Sequence, residues 1–109
     1  MSFLTLTERK NAKVATLQAE VVAFSDRLST YARAHEGRFL LYGSAARGDI
    51  RFGIDVDLIV DFSEPAASAA WRFAEQACWE LGVEPDIRPL AWCRPGFLER
   101  IRPEAVEPT

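Results

Sequence analysis

The segment 55–62, DVDLIVDF, constrains this chain more than any other. Its Val, Leu and Ile content reads as a β-strand. Successive side chains on a strand point to opposite faces, so Asp55 and Asp57 share one face. Leu58, Ile59 and Val60 follow without a polar break, which sends the strand into a core with the two acids at its entrance. Solvent-facing acids at a strand end would be unremarkable, but carboxylates at the mouth of a buried strand are costly without a role.

The remaining elements arrange themselves around that strand. Val14, Leu17, Val21, Phe24, Leu28 and Tyr31 recur at alternating spacings of three and four. That pattern predicts a long N-terminal amphipathic helix over residues 8–35, with Gly37 taking the left-handed conformation that ends it. Residues 38–42 (RFLLY) form a short apolar run that stops at Gly-Ser, which predicts a buried strand and a tight turn. Ser63, Glu64 and Pro65 make a helix start, and the helix runs to Gly82 with Trp71 and Trp79 expected in the core. Residues 83–90 (VEPDIRPL) read as a short strand, and Pro85 and Pro89, which cannot donate to a ladder, suggest an edge or an interrupted ladder. A short helix over 95–101 precedes a Pro- and Glu-rich tail expected to fray. The order is an α/β layout with a small three-stranded sheet, and 109 residues suit one domain spanning 1–109.

Composition removes several function classes. The net charge of −3 argues against direct nucleic-acid binding, which needs a basic face, so an anionic substrate must be held locally. Cys78 and Cys93 have neither CxxC spacing nor a paired framework, which disfavours zinc and disulfides and fits a reducing cytoplasm. No apolar run approaches a membrane span, so no membrane partner is expected.

The stretch 42–62, YGSAARGDIRFGIDVDLIVDF, carries the chemistry. Gly43 and Ser44 follow a strand directly, where backbone N–H groups can point outward together and hold phosphate oxygens. A Gly-Ser pair alone usually marks only a loop. Here, however, ten residues separate Ser44 from Asp55 and Asp57. Two close carboxylates perturb each other's pKa unless a cation lies between them, and hard oxygen donors suit Mg²⁺ or Mn²⁺. Asp86 on the third strand is the natural further ligand, because ends of neighbouring strands lie about 5 to 10 Å apart. Arg88 shares its face and would either pair with Asp86 or reach a phosphate, the ion pair being favoured. Arg47 suits a phosphate contact or an ion pair with Asp49 equally well. His35, at the helix end, carries no assigned chemistry.

GSAARG followed by IDVDL resembles the GSxARG and DxD signature of the minimal nucleotidyltransferases, within the DNA polymerase beta superfamily. The likeness is dense at Gly43, Ser44, Arg47, Gly48, Asp55 and Asp57. Asp86 falls where that family places its third carboxylate, and Phe97, Ile101 and Glu104 resemble its closing helix. Ile54 stands where the family usually has Ser, and Arg88 where an apolar or acidic residue is commoner. The first change removes a polar group near the acids and the second adds charge beside one of them.

The resemblance implies a nucleotidyltransferase fold with a small mixed sheet flanked by helices. It implies ATP as substrate, its phosphates on Gly43, Ser44 and Arg47, and two Mg²⁺ ions (or Mn²⁺) on Asp55, Asp57 and Asp86 as the catalytic group. It further implies AMP transfer to a hydroxyl, most often a tyrosine of a partner HEPN-domain ribonuclease toxin, the chain acting as antitoxin. The alternatives are an antitoxin that works by binding alone and, ranked lower, a transferase for small molecules of the aminoglycoside type.

Overall fold

A computed structural model describes residues 6–47 and 55–108, with side chains from residue 19 onward. Helix α1 spans Leu6–Ala34, strand β1 Arg38–Tyr42, strand β2 Asp55–Asp61, helix α2 Glu64–Leu81 and strand β3 Glu84–Pro89. A 3-10 turn at Leu90–Trp92 leads to helix α3, Pro95–Ile101. The sheet is mixed, in the order β1-β2-β3, with β1 antiparallel and β3 parallel to the central β2. The parallel pair needs a crossover, and α2 supplies it.

Period two divides the sheet into two faces. Phe39, Leu41, Val56, Leu58, Val60 and Ile87 point to one, where they pack on Phe24 and Leu28 of α1 and on Ala70, Ala74, Ala77, Cys78 and Leu81 of α2. The alanines on α2 let that helix lie close to the strands. Phe24 and Leu28 are buried on the predicted stripe, with Val21 and Tyr31 at its margin, while Val14 and Leu17 have side chains outside the described residues. The other face carries Tyr42 and Ile59, covered by Ile101, Phe97 and Leu98 of the short α3.

Helix ends follow local chemistry, with one correction. Ser63 is extended and its carbonyl accepts from the Ala66 and Ala67 amides, both at 2.9 Å, while its side chain makes no cap bond. Gly82 ends α2 in the left-handed region (φ 84°), as expected. At the end of α1, however, the left-handed residue is Glu36 (φ 56°), not Gly37. Gly37 is needed for space: a Cβ there would lie 2.2 Å from Cδ1 of Phe62, whose ring closes the core end of β2. His35 is exposed and stacks on Tyr31, with ring centroids 4.1 Å apart.

Two other expectations change. The tail is tied down through Val106, which exchanges two 2.8 Å backbone bonds with Leu41 and covers the open edge of β1. Trp79 is 54% exposed, so it lies outside the core in which Trp71 is partly packed. Between elements, Arg27 of α1 pairs with Glu80 of α2, and Arg38 with its register partner Asp61 at 2.6 Å. Among the described residues no helix is long and apolar enough to cross a membrane.

Candidate active site

The site lies on the sheet face covered by α3, at the end where β1 finishes and β2 and β3 begin. Register places Tyr42 opposite Asp57, and Asp57 beside Asp86, in one row across all three strands. Asp55 lies one pleat nearer the strand start and is exposed; Asp57 and Asp86 are half-buried. The structure thus brings the predicted acids of two strands to one face.

Gly43 closes the row. Its φ of 68° is costly for any residue with a Cβ, and a Cβ there would lie 2.6 Å from Oδ2 of Asp57. Glycine therefore lets the backbone turn press against a carboxylate. Residues 44–47 continue as a turn closed by the Arg47 amide donating to the Ser44 carbonyl at 3.1 Å. Gly48, Asp49 and Ile54 lie outside the described residues. The described ion-pair partner of Arg47 is Glu104, at 3.4 Å.

Crowding of like charge shows in the titration of Asp57. Burial, then a hydrogen bond and the charge of Asp86, then Asp55, push its carboxyl up to about 6, against a smaller opposing pull from Arg88. The expected Arg88–Asp86 ion pair does not form. The Arg88 guanidinium instead lies over the Phe97 ring, 5.1 Å from its centroid, with Arg100 also packed on that ring. A flat cation on an aromatic face retains its charge near the acids without neutralising either one directly. Tyr42 is buried, its hydroxyl has no hydrogen-bond partner, and burial raises its pKa to about 12.

Residues 22–106 match the family model of the nucleotidyltransferase domain. The chain belongs to the nucleotidyltransferase domain family. No curated protein matches it. The matched span covers the Gly43 turn and all three aspartates, so the activity of this nucleotidyltransferase domain is nucleotidyl transfer. Domains of this family generally use a nucleoside triphosphate and a divalent metal.

The residues present fit such a metal. Asp57 and Asp86 are adjacent hard-oxygen donors, and burial together with the neighbouring carboxylates raises Asp57, a cost of ionisation that a cation there would relieve. Among the described residues no three His, Cys, Asp or Glu side chains lie close enough to share one ion, so Asp55 stands apart from the pair. Glu84 had no place in the sequence reading, and Glu104 entered it only as part of the closing segment. Glu84 is the register partner of Asp55, and Glu84-Pro-Asp86 repeats the spacing of Asp55-Val-Asp57, a signal that was visible. Glu104 bonds the Gly43 amide from 61 residues away, and no local pattern announces it.

A separate groove of about 760 Å³ opens at the opposite end of the sheet, lined by Phe62, Pro65, Trp71, Leu90 and Trp92 among others. Its acids are Asp61, already paired with Arg38, and Glu64 at the start of α2. Size favours that groove, but the converging acids and the left-handed Gly43 turn beside them favour the Asp57 row, and chemistry follows the latter.

Proposed function

We propose that this nucleotidyltransferase domain transfers AMP from ATP to a tyrosine hydroxyl of a partner HEPN-domain ribonuclease toxin and acts as its antitoxin. The observation that carries the transfer chemistry is the in-register pairing of Asp57 and Asp86 beside the Gly43 turn. The choice of acceptor rests on the likeness of GSAARG and IDVDL to the minimal nucleotidyltransferases, many of which serve as antitoxins. The exposure of Asp55 supports it further, because an acceptor on another protein's surface can approach that side.

Backbone donors of the turn after Gly43, with the Ser44 hydroxyl, hold the triphosphate tail, and the Arg47 guanidinium adds positive charge. An Mg²⁺ or Mn²⁺ ion held by Asp57 and Asp86, with Asp55 a ligand to a second ion that the triphosphate brings, would neutralise phosphoryl charge and make the acceptor hydroxyl more acidic. The acceptor oxygen bonds to the α-phosphorus while the bond from that phosphorus to the bridging oxygen breaks. Pyrophosphate leaves and the hydroxyl proton passes to water. Rate comes from placing the two reactants in line and from charge stabilisation, since the protein forms no covalent bond of its own.

Intact mass spectrometry of the co-expressed partner tests this reading. AMP-sized additions with the wild type, absent with Asp55→Ala, Asp57→Ala, are expected. An unchanged partner mass in both would refute the transfer, and continued co-purification would then mean neutralisation by binding.

A further inference from the structure

The segment after α3 folds back over the proposed phosphate turn. The Glu104 and Ala105 amides both bond the Ile101 carbonyl, at 3.0 and 2.9 Å, which turns the chain sharply at the helix end. Val106 then locks onto Leu41 by its two 2.8 Å bonds. These anchors fix the backbone of Glu104 beside the turn, and its carboxylate reaches two groups there. Its Oε1 accepts from the Gly43 amide at 3.3 Å and its Oε2 from Nη1 of Arg47 at 3.4 Å. One side chain thus spans both ends of the GSAAR turn.

We infer that Glu104 is a positioning residue, holding Gly43 and Arg47 in the arrangement in which the turn receives the triphosphate; this rests on the ATP-dependent reading above. Exposed ion pairs taken singly contribute little. The position of this one is unusual, because the Gly43 backbone passes so near Oδ2 of Asp57 that a side chain there would collide with it. Moving Gly43 moves the turn relative to the acid, so the Glu104 contact sets two parts of the site at once. Arg47 is more than half exposed and has a long, flexible side chain, so a carboxylate 3.4 Å away narrows the directions its guanidinium takes.

The test uses the full chain with Glu104→Ala and Glu104→Gln. Calorimetric titration with Mg-ATP is expected to show binding about three- to fivefold weaker for the alanine variant, the upper range for one exposed charged contact. The glutamine variant keeps an oxygen for the Gly43 amide and should recover part of that loss. In transfer assays KM for ATP should rise more than kcat falls, a split that a general loss of folded protein would not produce. Unchanged affinity in the alanine variant overturns the inference. Tighter binding also overturns it, because Glu104 would then be competing with the phosphates for their donors. If the wild type binds no ATP, the functional reading fails on its own, and the contact is judged in nucleotide-free protein. There the Gly43 amide resonance must move in Glu104→Ala and stay near its place in Glu104→Gln, and no movement overturns the inference.

Discussion

The two faces of the sheet are built from the same strands yet obey opposite rules. On the face toward α1 and α2, Val56, Leu58, Val60, Phe39 and Leu41 are buried and none carries a polar group. One residue away along each strand, the other face holds Tyr42, Asp57, Asp86 and Arg88 under a helix of only seven residues. The first face takes apolar area out of water and holds the fold together. The second keeps like charges close, an arrangement that costs stability and is retained where a ligand offsets it. A one-residue shift in register would exchange the two faces, so stability and chemistry depend on the same pairing.

Substitutions on the two faces should therefore separate activity from stability. Asp86→Asn is expected to lower transfer by about 10³-fold or more, since the proposed metal site would lose a ligand. Its unfolding midpoint in urea should stay level or rise, because a charge beside Asp57 is gone; a large loss of stability would break the contrast. Leu58→Ala, on the core face, should cost about 3 kcal/mol in the same unfolding measurement, within the usual range for a buried leucine. Its remaining folded fraction should still bind Mg-ATP with wild-type affinity.

The pH dependence sharpens the comparison next. With the Asp57 carboxyl raised from 3.8 to about 6, the folded chain holds a proton in that interval that the unfolded chain has lost. This contribution to stability is present below the interval and disappears as pH rises through about 6, so metal-free protein should become less stable across it. Thermal unfolding at a series of pH values should show that fall, and Asp57→Asn should flatten it. The same proton competes with a cation, so Mn²⁺ affinity should climb over the same interval.

The smallest effect concerns Tyr42. Tyr42→Phe removes a buried hydroxyl without a partner and should stabilise the protein by about 1 kcal/mol in urea unfolding. A loss of stability would show that the hydroxyl is satisfied in solution, and would make this face better paired than it appears in the structure.

Much of this was legible before folding. The run from Asp55 into Leu58, Ile59 and Val60 announced both a strand and its charged entrance, because β-periodicity is a local rule. The ends of α2 were equally local, since Ser63, Pro65 and Gly82 act through their own dihedral preferences. Reading failed where a distant residue decided the outcome. Gly37 looked like a helix terminator, yet what demands glycine there is the Phe62 ring, 25 residues on. Trp79 sat at a plausible spacing for the core but faces outward. The tail appeared free because nothing in its Pro- and Glu-rich sequence reveals that Val106 bridges to Leu41.

The sequence by itself determined the helices, the strands and which acids share a strand face, because these depend on the geometry of neighbouring residues along one chain. Only tertiary structure decided that β3 lies parallel to β2, with Asp86 level with Asp57 and Glu84 with Asp55. It alone also placed Glu104 on the Gly43 turn and left Arg88 over Phe97 without an ion pair to Asp86. Those contacts join residues far apart in sequence, and their geometry is set by how whole elements pack, which no local pattern of side chains encodes.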